Sequence, residues 1–324
     1  MSRPSGQASD PHDPWAAQLA AGAACSTWIL LLVGCLVHGT GSSLACPDWP
    51  LCFGSAFPKM VNGVEYEHTH RLVATAVGVL TIVLAVVLHR RRQEDRTAAT
   101  MGYVGVGLVC FQGLLGGITV LLRLPILVTL THLATSMAFF CLMVLLAARV
   151  RAVVARDDED PREAVQLARL RPWAGAVAVA TYGQIVLGGI VRHTASGLAC
   201  FGIPLCNGEL WPSHPGAHWH MSHRIFAVVL GIIVVGLARA IRAAGPRSRA
   251  ARLAGYAVGL VLVQITLGVL SVYSMLSLSA VTLHLGVAAL LLACNVSIFY
   301  YLPARARETS KRAAFALPFP GKAA

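Results

Sequence analysis

Apolar positions along the chain collect into eight long runs divided by short polar breaks, at about 17–40, 69–89, 99–121, 128–149, 172–192, 219–241, 253–274 and 280–302. Each run approaches the roughly 20 apolar residues that a helix needs to cross the hydrocarbon of a bilayer. The pattern predicts eight transmembrane helices, grouped four and four about the polar stretch 151–171. Composition points the same way, with 56% hydrophobic residues, 12% charged residues and a mean hydropathy of +0.67. A soluble domain carries about 25% charged residues.

The runs also repeat. Cys46, Cys52, His70-Arg71 and His132 recur as Cys200, Cys206, His223-Arg224 and His284, at offsets of 154, 154, 153 and 152 residues. Thr40 to Cys46 aligns with Thr194 to Cys200 without a gap, and Pro50-Leu51-Cys52 matches Pro204-Leu205-Cys206. Downstream, Gln112 matches Gln264 and Gly116 matches Gly268. Four helices per copy is an even number, so both copies enter the membrane in the same direction, as a parallel repeat about a pseudo-twofold axis along the membrane normal. The expected architecture is therefore an all-α integral membrane protein made of two tandem four-helix bundles, 17–150 and 172–302. Residues 1–16 read as a disordered tail, 151–171 as a solvated linker holding Asp157 to Asp160, and 303–324 as a second tail.

A net charge of +12 raises the question of nucleic acid, but the arginines lie in alternate loops, after helices 2, 4, 6 and 8. That placement is a topogenic signal, and it puts both termini in the cytoplasm. It also removes the case for a nucleic-acid partner, since no basic face with an aromatic platform remains. The first residues form neither a signal peptide nor a transit sequence, so the expected location is a bacterial plasma (inner) membrane, with the lipid bilayer as surroundings.

Cys25, Cys35, Cys110, Cys141 and Cys294 lie within apolar runs and read as small buried thiols. Cys46 with Cys52 and Cys200 with Cys206 share outer loops, where an oxidising compartment favours disulfides over free thiols or a metal. By chain entropy each such short bridge contributes about 2 to 3 kcal/mol.

His70 opens the second run and His132 lies early in the fourth, so both imidazoles sit within roughly 7 Å of the outer end of their helices; His223 and His284 repeat that depth. Two histidines at one depth on separate helices of a bundle are what axial ligation of a haem iron requires. Packing, hydrogen bonding or a proton path are the plainer readings of intramembrane histidines. Arg71 and Arg224, next to their histidines, and Arg192, before the second cysteine loop, suit haem propionates; the alternative is interfacial snorkelling. His38 is the first-half counterpart of Arg192. His68, His214, His218 and His220 read as interfacial or supporting groups, and Trp49, Trp211 and Trp219 as interfacial anchors.

Glu67 lies one helical turn before His70, while its counterpart in the second half is His220. A carboxylate there can accept a proton or balance developing positive charge; otherwise it is an acid favoured by the helix dipole. An acid in one half alone suggests one catalytic half and one that keeps its haem.

Taken together, Leu44-Ala45-Cys46-Pro47-Asp48-Trp49-Pro50-Leu51-Cys52, Glu67 with His70-Arg71, His132-Leu133, His223-Arg224, His284 and the Cys200 to Cys206 loop resemble the haem A synthases, membrane enzymes that complete haem A for cytochrome oxidase. The resemblance covers nearly all eight helices. It implies oxidation of the C8 methyl of haem O to a formyl group by successive hydroxylation and loss of water. It further implies substrate haem between His70 and His132, a haem b cofactor between His223 and His284, and Glu67 as the catalytic acid. Haem O synthase, cytochrome oxidase assembly factors and an unidentified electron donor are the implied partners. The family usually carries a basic residue where His38 stands. A di-haem, cytochrome b-like electron carrier is the rival reading, and a transporter built on a parallel repeat is a second.

Overall fold

The computed structural model describes residues 14–152 and 161–304, and these form eight α-helices: α1 (Pro14–Gly39), α2 (Val64–Arg90), α3 (Arg96–Leu121), α4 (Ile126–Ala152), α5 (Pro161–His193), α6 (Pro215–Ala244), α7 (Arg249–Tyr273) and α8 (Leu278–Tyr301). All eight are long and apolar enough to cross a membrane. Most of the tail at 1–16, the tail at 305–324 and the acidic stretch 153–160 lie outside the described residues.

The helices overrun the apolar stretches at most ends, because hydropathy registers the apolar middle while caps and first turns are polar. Asp95 caps α3 by accepting from Ala98 N at 2.9 Å, and Ser248 caps α7 by accepting from Ala251 N at 3.1 Å, which satisfies backbone donors left free at a helix start. At α6, Pro215 occupies the first turn and His214 Nδ1 accepts from Gly216 N at 3.1 Å. The largest difference is at α5, which starts at Pro161 and so takes up much of the stretch expected as linker, with Pro172 inside the helix. Before α2, Gly63 holds a φ of +93° against the Ser42 side chain, where an added Cβ would lie 2.8 Å from Ser42 Oγ. Glycine alone takes that backbone without strain and fits that space, and it fixes where α2 begins, and with it the depth of Glu67 and His70.

Helix α1 packs on α2 and α4, α2 on α3, and α3 on α4; α5 packs on α6 and α8, α6 on α7, and α7 on α8. Contacts between these groups run through α1 with α8, α4 with α8 and α4 with α5. Buried side chains form three clusters. One lies within α1 to α4 around Leu84, Met143 and Leu146. A second lies within α5 to α8 around Leu167, Ile241 and Leu302. The third fills the seam around Met137, Phe140, Ala289 and Leu292. Outward-facing positions carry bare apolar side chains such as Leu72, Val79, Val179, Ile232 and Leu262, a surface suited to lipid.

Hydrogen bonds also cross the seam. Trp28 Nε1 on α1 donates to the Gly286 carbonyl of α8 at 3.0 Å, and Tyr182 OH on α5 donates to the Ala134 carbonyl of α4 at 2.8 Å. Bonds of this kind in a membrane average about 0.6 kcal/mol, so they orient the seam while side-chain packing supplies most of its stability. A Cβ on Gly286 would lie 2.7 Å from Leu32, which shows how closely that crossing is packed.

Candidate functional site

The polar groups singled out in the sequence gather at one end of the molecule, under the two cysteine loops. Cys46 and Cys52 form one disulfide and Cys200 and Cys206 the other, and all four are fully buried. Each loop is tied down by the arginine that follows a histidine. Arg71 donates from Nε to Glu67 Oε1 at 3.0 Å, from Nη1 to the carbonyls of Asp48 and Leu51 at 2.8 and 2.6 Å, and from Nη2 to that of Cys46 at 3.3 Å. Arg224 donates to the carbonyls of Gly202 and Cys200, each at 2.5 Å. These are loop carbonyls that have no helix or strand to pair with, and a buried unpaired carbonyl is costly. Four of the five guanidinium N–H groups of Arg71 are thus engaged within the protein. In the first loop Asp48 adds a turn of its own, accepting from Phe53 N at 2.7 Å and Gly54 N at 2.8 Å. The Gly54 and Phe53 amides hold its carboxyl below the usual carboxylate range.

Below the loops lie the four histidines. Their rings are half-buried, and each faces a glycine of a neighbouring helix. A Cβ would come within 3.1 Å of His70 Cε1 at Gly34, 3.7 Å of His132 Cε1 at Gly116, 3.0 Å of His223 Cε1 at Gly188 and 3.2 Å of His284 Cε1 at Gly268. The His223 and His284 rings stand 6.5 Å apart, centroid to centroid, and inclined by 65°. Two imidazoles that bind one metal from opposite sides, each at about 2 Å, have centroids roughly 6 Å apart. The Nδ1 atoms of His70, His132 and His284 are buried with no hydrogen-bond partner, an expensive condition for polar atoms unless a further group engages the rings. His223 Nδ1 has Gln184 Nε2 at 3.1 Å, and His284 Nε2 has Gln264 Nε2 at 3.2 Å. The donor set, two imidazoles per half with buried nitrogens that lack a partner in three of the four rings, fits a haem iron.

Glu67 is 6% exposed, on the same face of α2 as His70, with Arg71 as its ion-pair partner at 3.0 Å. Its counterpart His220 is equally buried, its Nδ1 unpartnered. Arg192 lies at the end of α5 beside the His38 and His193 rings, which pack 4.8 Å apart, and among the described residues no acid pairs with its guanidinium. His218 donates from Nε2 to the Pro212 carbonyl at 2.6 Å, and its ring stacks on Trp211 at 4.9 Å. His214 serves as the α6 cap and His218 lies in the first turn of that helix, so both fasten the loop to the start of α6.

Three participants were not found from the sequence. Gly34 and Gly188 were detectable, since they obey the same 154-residue offset as the cysteines. Gln184 was not, because its counterpart is Leu30, and only the packing of α5 against α6 brings it to His223. The glycines yield a test. Gly188→Leu should push the His223 ring out of place and lower the haem content of purified protein several-fold, whereas Gly183→Leu, at an open position, should leave it unchanged.

Comparison with known proteins gives a consistent result. The COX15-CtaA family model, described as cytochrome oxidase assembly protein, matches residues 64–296. A heme A synthase of Shouchella clausii is 32% identical over 216 residues, covering 64% of this chain and 70% of the relative. The heme A synthase of Symbiobacterium thermophilum is 30% identical, covering 80% and 86% of the two chains. That of Shewanella oneidensis is 28% identical over 88% and 96%.

Proposed function

We propose that this chain, which belongs to the COX15-CtaA family of heme A synthases, is a membrane oxidoreductase that converts haem O to haem A. With dioxygen as the external oxidant and two electrons per step from the electron donor, the C8 methyl is hydroxylated twice, each step releasing one water, and the resulting geminal diol loses water to leave the formyl group. The observation that carries the enzymatic reading is Glu67, a buried carboxylate one turn from His70 that has no acidic equivalent in the second half. An electron carrier with two equivalent haem sites has no use for an acid in one of them.

In this reading the chain is two tandem four-helix bundles related by a parallel pseudo-twofold axis. The seam supports it: Trp28 and Tyr182 are repeat counterparts, and so are their acceptors Gly286 and Ala134. The same holds for Gly34 with Gly188 beside His70 and His223.

The first bundle takes haem O between His70 and His132. The second holds haem b between His223 and His284, and when bound it supplies one-electron redox chemistry close to the substrate. Glu67 takes protons released at the substrate periphery, with Arg71 keeping its carboxylate in place. The seals on each site are the disulfide loops, which Arg71 and Arg224 fasten over the helix ends and which keep water from the rings. Arg192, with no acid partner, is the best placed of the three arginines to receive a propionate; the other two reach it only with the donors their loops leave free. The disulfides suit an oxidising compartment and the arginine-rich loops the opposite side, so both termini face the cytoplasm of a bacterial cell whose plasma membrane holds the protein. A haem O synthase, oxidase assembly factors and an electron donor act with it.

The test is expression in cells that make haem O but lack haem A, followed by extraction and chromatography of the haems. Hydroxylated haem and haem A should accumulate. A protein that carries haem yet leaves haem O unaltered would instead be an electron carrier.

A further inference from the structure

The repeat counterparts His70 and His223 lie in matching backbone surroundings, each against a glycine of the preceding helix, but their polar neighbours differ. Gln184, one turn before Gly188 on α5, brings Nε2 to 3.1 Å from His223 Nδ1, and the same nitrogen donates to the His223 carbonyl at 2.8 Å. Its own Oε1 is buried and has no partner. In the first half the corresponding residue is Leu30, packed into the apolar core, and His70 Nδ1 is buried with nothing to bond.

An imidazole that binds a metal through one nitrogen carries its proton on the other. Whatever accepts that proton fixes the tautomer, holds the ring in orientation and strengthens the ligand. A glutamine amide presents an oxygen or a nitrogen from nearly the same outline, so turning it over, at the cost of the bond from Nε2 to the His223 carbonyl, brings the unpartnered oxygen to Nδ1 as the acceptor that a ligating His223 calls for. Leu30 supplies none to His70. The two halves have opposite needs, since a substrate site must release its porphyrin at each turnover whereas a cofactor site must not.

We propose that Gln184 is the positioning residue that makes His223 a tightly held ligand, and that Leu30 in its place leaves the first half free to exchange its haem. This rests on the reading above, in which His223 and His284 hold haem b. Without the acceptor the imidazole is a weaker donor to ferric iron, so haem is lost faster and the midpoint potential rises.

The experiment uses the full-length protein purified with haem b. Gln184→Leu should speed transfer of haem to apomyoglobin about 10- to 100-fold, the usual effect of losing an outer-sphere partner, and raise the midpoint potential. Gln184→Glu, which offers a stronger acceptor, should lower the potential and slow the loss. The reciprocal Leu30→Gln should slow the release of haem O and its products from the first half. Unchanged transfer and potential in Gln184→Leu, while His223→Ala sheds its haem, would overturn the role of Gln184 and leave the ligand assignment standing. Haem held as firmly by His223→Ala as by the parent would remove the ligand assignment, and this inference with it.

Discussion

Glu67→Gln should abolish haem A production while leaving haem b bound. Glutamine keeps the size of the side chain and can still accept from Arg71 Nε, so the ion pair of 3.0 Å becomes a hydrogen bond from the charged guanidinium to a neutral amide, and the loop remains fastened through the Asp48, Leu51 and Cys46 carbonyls. What disappears is the ability to take up a proton beside His70. A positioned acid or base contributes about 10²- to 10⁴-fold, so haem A in extracted membranes should fall at least 100-fold while haem O persists. The Soret band and reduced spectrum of the second-half haem should be those of the parent. Haem A formed at the parental rate by this variant would sink the catalytic assignment. His220→Gln, the same change at the matching position, should leave turnover within a few-fold of the parent.

The second large effect is expected at His284. Alanine there removes one of two rings whose centroids stand 6.5 Å apart, and the nearest polar side chain, Gln264 at 3.2 Å from His284 Nε2, is an amide that ligates iron poorly compared with imidazole. Purified His284→Ala should lose the low-spin bis-histidine spectrum together with most of its haem b, and with them the electrons needed for haem A synthesis. His132→Ala should behave oppositely, keeping haem b and losing product, because in the proposed reading its ring holds the substrate haem. Full retention of the low-spin spectrum in His284→Ala contradicts the assignment of that ring as a ligand.

Most of the candidate residues were legible in the sequence because the same motif recurs along it, at offsets of 152 to 154 residues. Glu67 stood out for the complementary reason, as a charged residue whose counterpart is a histidine. The propionate roles given to Arg71 and Arg224 were less accessible. A sequence shows a cation next to a histidine and is silent on the unpaired carbonyls of a folded loop nearby, which here take most of the Arg71 donors. The boundaries of α5 illustrate a similar limit, since a helix continues through Pro161 to Arg171 on hydrogen bonds that hydropathy does not register.

By itself, then, the sequence determined that the chain is a bundle of eight apolar helices, which histidines and cysteines pair across the repeat, and that one acid breaks the symmetry. Those are properties of composition and period, and each residue carries them wherever it goes. Tertiary structure decided what needs two helices in contact: the glycines that admit the imidazoles, the carbonyls that occupy the arginines, the Trp28 and Tyr182 bonds across the seam, and the approach of Gln184 to His223. Such relations depend on distances of a few ångströms between residues tens to hundreds of positions apart, and no local pattern along the chain encodes them.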